Sequence, residues 1–142
     1  MQEYSCGKPT TELQVIGESS HSGTSITFKP DDSIFTVTVY DYSTLANRLR
    51  DLAYLNAGIT LHLTDKRTKD AEGNYKSETF YSETGLEDFV QYIDSSKESL
   101  INDVIHLNTE RQGIPVEVAL TYNTTFNENV YSFVNNINTI EG

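Results

Sequence analysis

Leu45-Ala46-Asn47-Arg48-Leu49-Arg50-Asp51-Leu52-Ala53-Tyr54-Leu55-Asn56-Ala57-Gly58 is the stretch that decides the fold. Leu45, Leu49, Leu52 and Leu55, with Ala46 and Ala53, recur at helical period and form one apolar stripe. Arg48, Arg50 and Asp51 fall off that stripe. The pattern predicts a helix from about Tyr42 to Asn56. Asp41 or Ser43 can cap its start, because a short oxygen-bearing side chain accepts from the free amides of the first turn. Gly58 stands where a left-handed C-cap belongs.

Downstream, Ile59, Leu61 and Leu63 alternate with Thr60, His62 and Thr64, which is a strand pattern. Asp65 to Tyr75 reads as a long hairpin loop with Gly73-Asn74 as turn residues, and Lys76 to Tyr81 as the returning strand. A second helix is predicted from about Gly85 to Ser95. Thr84 and Glu87 fit the T-x-x-E capping box, and Leu86, Phe89, Val90 and Ile93 share one face. Ile105 to Asn108 reads as a strand, and Arg111-Gln112-Gly113 as a tight turn. Ile114, Val116, Val118 and Leu120 line one face of the next strand. Val130 to Val134 is predicted as a last strand before an asparagine-rich arm that runs to Gly142. From residue 42 the order α-β-β-α-β-β-β suits an α+β fold, a sheet with two helices on one face. The run Asn127 to Gly142 reads as a cut through a longer protein.

Upstream, Leu13 to Glu18 and Thr24 to Phe28 look like two strands separated by the polar turn Ser19 to Gly23. Alone, such a ribbon is marginally stable. Its exposed edges are expected to drive self-association.

With 21 acidic and 10 basic residues among 142, the net charge is −11. A surface this acidic repels phosphate backbones. The nearest thing to a basic cluster, Lys66-Arg67-Thr68-Lys69, is flanked by Asp65, Asp70 and Glu72. Cys6 is the one cysteine, so no internal disulfide forms. No window is apolar enough to span a membrane, and the start lacks the pattern of a signal peptide. These features point to the cytoplasm and to no membrane partner.

Chemistry is sparse. His21, His62 and His106 stand apart without metal-site spacing, and read as solvent-facing or structurally satisfied. Cys6 has no neighbouring base. Asp31-Asp32 reads as a turn after Pro30, and Glu87-Asp88 as first-turn acids at a positive helix end. No residue is assigned a catalytic or metal-binding role. Gly23-Thr24 is the one spot with ligand chemistry. Glycine lets backbone approach closely, and a threonine hydroxyl both gives and accepts a hydrogen bond.

Several of these stretches carry a family resemblance. They are Gly17-Glu18 with Gly23-Thr24-Ser25-Ile26-Thr27-Phe28-Lys29-Pro30, the helix motif Leu45 to Gly58, Gly85 to Tyr92, Val116 to Leu120, Phe126-Asn127-Glu128-Asn129, and Phe133-Val134-Asn135-Asn136-Ile137. In that order the chain resembles an internal segment of the bacterial DNA gyrase B family. The resemblance implies that residues 1–36 are the last strands of a GHKL-type ATPase domain, a remnant strand pair. Residues 37–142 are then most of a transducer domain with the fold of ribosomal protein S5 domain 2.

The resemblance also implies that Gly23 and Thr24 belong to the last nucleotide motif, Thr24 helping to bind the adenine of ATP. The family's water-activating glutamate, its magnesium-holding asparagine and its phosphate lid would precede Met1. Its nucleotide-sensing transducer lysine would follow Gly142. ATP and Mg2+ are then cofactors of the parent protein, not tightly bound by this stretch alone, which is expected to be inactive by itself. The implied function is relay of nucleotide state within an ATP-dependent topoisomerase that supercoils DNA by double-strand passage. Implied partners are gyrase A, a second copy of gyrase B, and DNA through the intact complex. The corresponding ATPase subunit of topoisomerase IV shares the plan. A stand-alone acidic protein-interaction module is the alternative of a different class.

Overall fold

The computed structural model describes residues 1–139. The last three residues of the asparagine-rich arm, Ile140, Glu141 and Gly142, lie outside the described residues. The chain divides into two compact units, Met1–Tyr40 and Asp41–Gly142.

In the first unit, β1 (Tyr4–Ser5) and β2 (Lys8–Pro9) pair antiparallel. They are joined by Cys6 and Gly7, both at positive φ (47° and 75°), the geometry that matches the twist of a two-residue hairpin. Backbone bonds from Thr10 to Glu3 and from Gln14 to Met1 extend this small ribbon. The expected strand pair at 13–18 and 24–28 is not formed among the described residues. A strand needs a continuous hydrogen-bonding partner, and the 13–18 segment meets only Met1, through Gln14. Val15, Ile26 and Phe28 therefore stay 95%, 80% and 72% exposed. Asp31 closes a turn instead, accepting from the Ser33 amide at 2.9 Å and its hydroxyl at 2.6 Å.

The second unit begins with α1 (Tyr42–Leu55). Asp41 is its cap, accepting from the Ser43 hydroxyl (2.6 Å), the Thr44 amide (2.8 Å) and the Thr44 hydroxyl (2.8 Å). The buried positions are Tyr42, Ala46 and Ala53. Small residues let the neighbouring hairpin approach closely, while Leu49 sits at the margin of the core. Gly58 is left-handed at φ 84°, but its amide donates to the Ser82 carbonyl at 2.8 Å rather than back to the helix.

That hairpin is β3 (Leu61–Lys69) with β4 (Tyr75–Phe80). The expected long loop is largely strand. A bulge between Asp65 and Lys69 absorbs the extra residues, and Asp70 organises the turn by accepting from the amides of Glu72 and Asn74. Leu61, Leu63 and Phe80 meet Tyr42, Ala46 and Ala53 in the core.

Next come α2 (Leu86–Asp94), β5 (Ile105–Arg111) and β6 (Ile114–Leu120). Gln112 and Gly113, both at positive φ, make the two-residue turn of this second hairpin. The Thr84–Glu87 capping box is not formed. Gly85 takes the cap position at φ 66° with no side-chain cap, because a Cβ there would lie 3.2 Å from the Tyr54 carbonyl and 3.3 Å from the Ala57 Cβ. Ser82 and Asp88 organise the helix start instead. The Ser82 hydroxyl accepts from the Gly85 amide (2.8 Å) and donates to Asp88 (2.6 Å), which holds the Asp88 carboxyl below the usual range.

Last come β7 (Phe133–Val134) and β8 (Ile137–Asn138), an antiparallel pair turned by Asn135 and Asn136 at φ 49° and 64°. The expected strand at 130–134 is thus shorter, and the asparagines form a turn rather than an arm.

The fold is α+β as expected, with one correction. The strands pair as separate two-stranded hairpins, not as one sheet. The helices account for this. α1 covers β3–β4, α2 packs on β5–β6 but leaves that hairpin largely exposed, and the two helices touch each other.

Candidate functional site

The second unit converges on a junction of α1, α2 and the β7–β8 hairpin. The Asn136 side-chain amide donates to the Asn56 side-chain oxygen at 2.9 Å. Arg48 donates to the Asn136 carbonyl at 2.9 Å. The left-handed Asn135-Asn136 turn is what aims both groups at α1, and asparagine tolerates that backbone better than most residues. Beneath it, Phe89 of α2 stacks on Tyr54 of α1 (centroids 5.3 Å) and meets Tyr131 and Phe133 at 6.2 and 6.0 Å. Phe89 is 7% exposed.

A second polar hub lies on the other side of α1. The Arg50 guanidinium sits 5.5 Å from the rings of both Phe80 and Tyr92. It donates to Asn47 at 2.9 Å and pairs with Glu78 at 3.6 Å. One side chain thereby links α1, α2 and β4. Burial raises the Tyr54 phenol above its ordinary range, with the neighbouring Tyr92 adding to it.

Alongside α2 runs an open groove of about 1220 Å³, lined by Phe89, Val90, Ile93, Val116, Val118 and Phe133 among others. Its walls are chiefly apolar side chains and backbone. Nothing in the junction pairs a nucleophile with a base among the described residues. Its chemistry is mechanical: it fixes two helices and a hairpin in one register.

The residues singled out from sequence fall elsewhere. Gly23 and Thr24 lie in an irregular, exposed segment of the first unit, with nothing within 4 Å of where a Gly23 Cβ would stand. The structure brings no other chemistry-bearing residue to them among the described residues. Cys6 is exposed, its thiol 3.6 Å from Asp31. His21 contacts Ser20, and His62 pairs across the hairpin with Thr79 at 2.8 Å. His106 lies between Glu87 and Glu117. No group of His, Cys, Asp or Glu suited to a metal ion occurs among the described residues, and the atoms around Thr24 do not by themselves fit ATP or Mg2+. No helix of the described residues is long and apolar enough to cross a membrane. Arg48, Asn56 and Asn136 are the functional candidates that sequence reading missed. The Asn-Asn turn chemistry was the available signal, but its partners lie 80 and 88 residues away.

This arrangement of paired helices and strand pairs is similar in fold to solved gyrase B structures. In sequence and in fold the chain matches the B subunit of DNA gyrase. The DNA gyrase B family model covers residues 85–142. DNA gyrase B of Cytophaga aurantiaca is 52% identical over 141 residues, 99% of this chain and 30% of that protein. Gyrase B of Eisenibacter elegans is 50% identical over the same shares. The chain thus spans about a third or less of its relatives' length. The 43K ATPase domain of Thermus thermophilus gyrase B, solved with an aminocoumarin, superposes with a TM-score of 0.81 at 28% identity, over 96% of this chain and 36% of that one. Gyrase B of Myxococcus xanthus gives 0.73 at 20% identity over 94% and 41%, a likeness of fold.

Proposed function

We propose that this chain is part of the B subunit of an ATP-dependent DNA gyrase, and that its second unit relays nucleotide state. The observation that carries the reading is the match along 99% of the chain to gyrase B proteins. The junction supports it physically. A relay needs elements that move together, and Asn136, Arg48 and Phe89 tie the last hairpin to both helices. In the longer protein, Thr24 gives and accepts hydrogen bonds at the adenine, with Gly23 allowing close approach. ATP and Mg2+ are cofactors of that protein, held mainly by residues outside this chain. Its partners are gyrase A, a second copy of gyrase B, and DNA gripped by the complex rather than by this acidic stretch. The setting is cytoplasmic.

By itself the 142-residue chain is inactive in ATP hydrolysis, since neither unit gathers a water-activating carboxylate and a phosphate grip among the described residues. A turnover assay on the purified chain tests this. Background hydrolysis is expected, and turnover abolished by Thr24→Ala would overturn it. In full-length gyrase B, Thr24→Ala is expected to weaken nucleotide binding about tenfold, the scale of one or two lost hydrogen bonds.

A further inference from the structure

His106 on β5 has both ring nitrogens engaged. Nδ1 lies 2.8 Å from a carboxylate oxygen of Glu87 on α2, and Nε2 lies 2.9 Å from a carboxylate oxygen of Glu117 on β6. A neutral imidazole has one N–H and one lone pair. Between two ionised carboxylates, one contact would then set lone pair against lone pair. The Nε2 contact is a hydrogen bond and the Nδ1 contact an ion-pair distance, and both are attractive only when the ring carries both protons. We propose that His106, as an imidazolium, is a latch tying the first turn of α2 to the β5–β6 hairpin, and that loss of one ring proton opens it.

The surroundings single out this group. β5 packs against β6 and α2. β6 carries one titratable side chain, Glu117. Of the groups on α2, Asp88 is held by Ser82, Asp94 by Lys97 and Asn123, and Tyr92 by Arg50. Glu87 is the one left to face the ring. On β5 itself, Glu110 shares the face of His106 by strand alternation, and Arg111 lies on the opposite face. The Glu87 contact joins α2 to a hairpin that the chain connects to it through residues 95–104. The latch is closed while the ring carries both protons and opens when one is lost. His62 and His21 touch hydroxyls only, so they serve as internal controls.

The test is amide hydrogen exchange of the 142-residue chain, followed by NMR from about pH 5 to about pH 8, where imidazole exchanges its proton. Rates are divided by the intrinsic rate at each pH. Protection of the α2 amides from Phe89 onward, the first to donate within the helix, is expected to fall at least about threefold across this range, the scale of one lost charge-assisted hydrogen bond. His106→Gln should flatten that dependence, and Glu117→Gln should do the same while keeping side-chain shape at a site that is 43% exposed. Ring nitrogen spectra should show His106 doubly protonated on the acid side and singly protonated once protection has dropped. Protection that does not vary with pH, or that varies identically in a folded His106→Gln or Glu117→Gln chain, overturns the proposal.

Discussion

Gly85 shows how a single residue is fixed by distant contacts. Its φ of 66° and its approach to the Tyr54 carbonyl make any side chain there strained and tightly packed. Gly85→Ala is expected to destabilise the chain by about 2 kcal/mol, as a strained left-handed residue meeting backbone does. A urea midpoint measures it, and an unchanged midpoint would contradict the reading. Asp41 gives a pH-dependent case. Hydrogen bonds from Ser43 first, then Thr44, hold its carboxyl down to about 2. A depressed carboxylate stabilises the fold above its unfolded value and loses that contribution as pH falls through the folded one. Asp41→Ala should therefore lower Tm at neutral pH. Its difference from the wild type should close as pH drops from the ordinary carboxylate value towards about 2.

At the scale of elements, Phe89 is the ring that joins α2 to Tyr54, Tyr131 and Phe133. Phe89→Ala should cost about 3–5 kcal/mol, the range for a buried aromatic truncated in a core, read from the same urea midpoint. The Asn56–Asn136 bond joins α1 to the last hairpin. A double-mutant cycle on the pair should return a coupling of about 1 kcal/mol. A coupling indistinguishable from zero would mean that this side-chain bond does not hold the hairpin.

Both helices were legible because a 3.6-residue period is local information, and so was the Gln112-Gly113 turn. Cap and strand assignments failed where the deciding contact was not local. Thr84 and Glu87 satisfy the capping pattern, yet the packing of Gly85 on α1 moves the cap to the Ser82–Asp88 pair. Leu13 to Glu18 and Thr24 to Phe28 have strand-like sequences, but pairing belongs to two segments at once and these two do not pair with each other. The junction was invisible for the same reason: Arg48 and Asn56 read as a helix's outer face and end until Asn136 is set against them.

For the whole molecule, the two units differ in kind. The second has a core built on Tyr42, Ala46, Ala53 and Phe80. The first leaves Val15, Ile26 and Phe28 in solvent, the sort of unpaired extended surface that recruits other chains. Light scattering should show a mass that rises with concentration, and a mass that stays monomeric would contradict this.

Relay of nucleotide state through the junction is read in full-length gyrase B carrying Asn136→Ala, assembled with gyrase A. ATP turnover and DNA supercoiling are measured together on the same preparation. Hydrolysis is expected to persist while supercoils introduced per ATP fall several-fold. A folded variant with an unchanged ratio would contradict the relay.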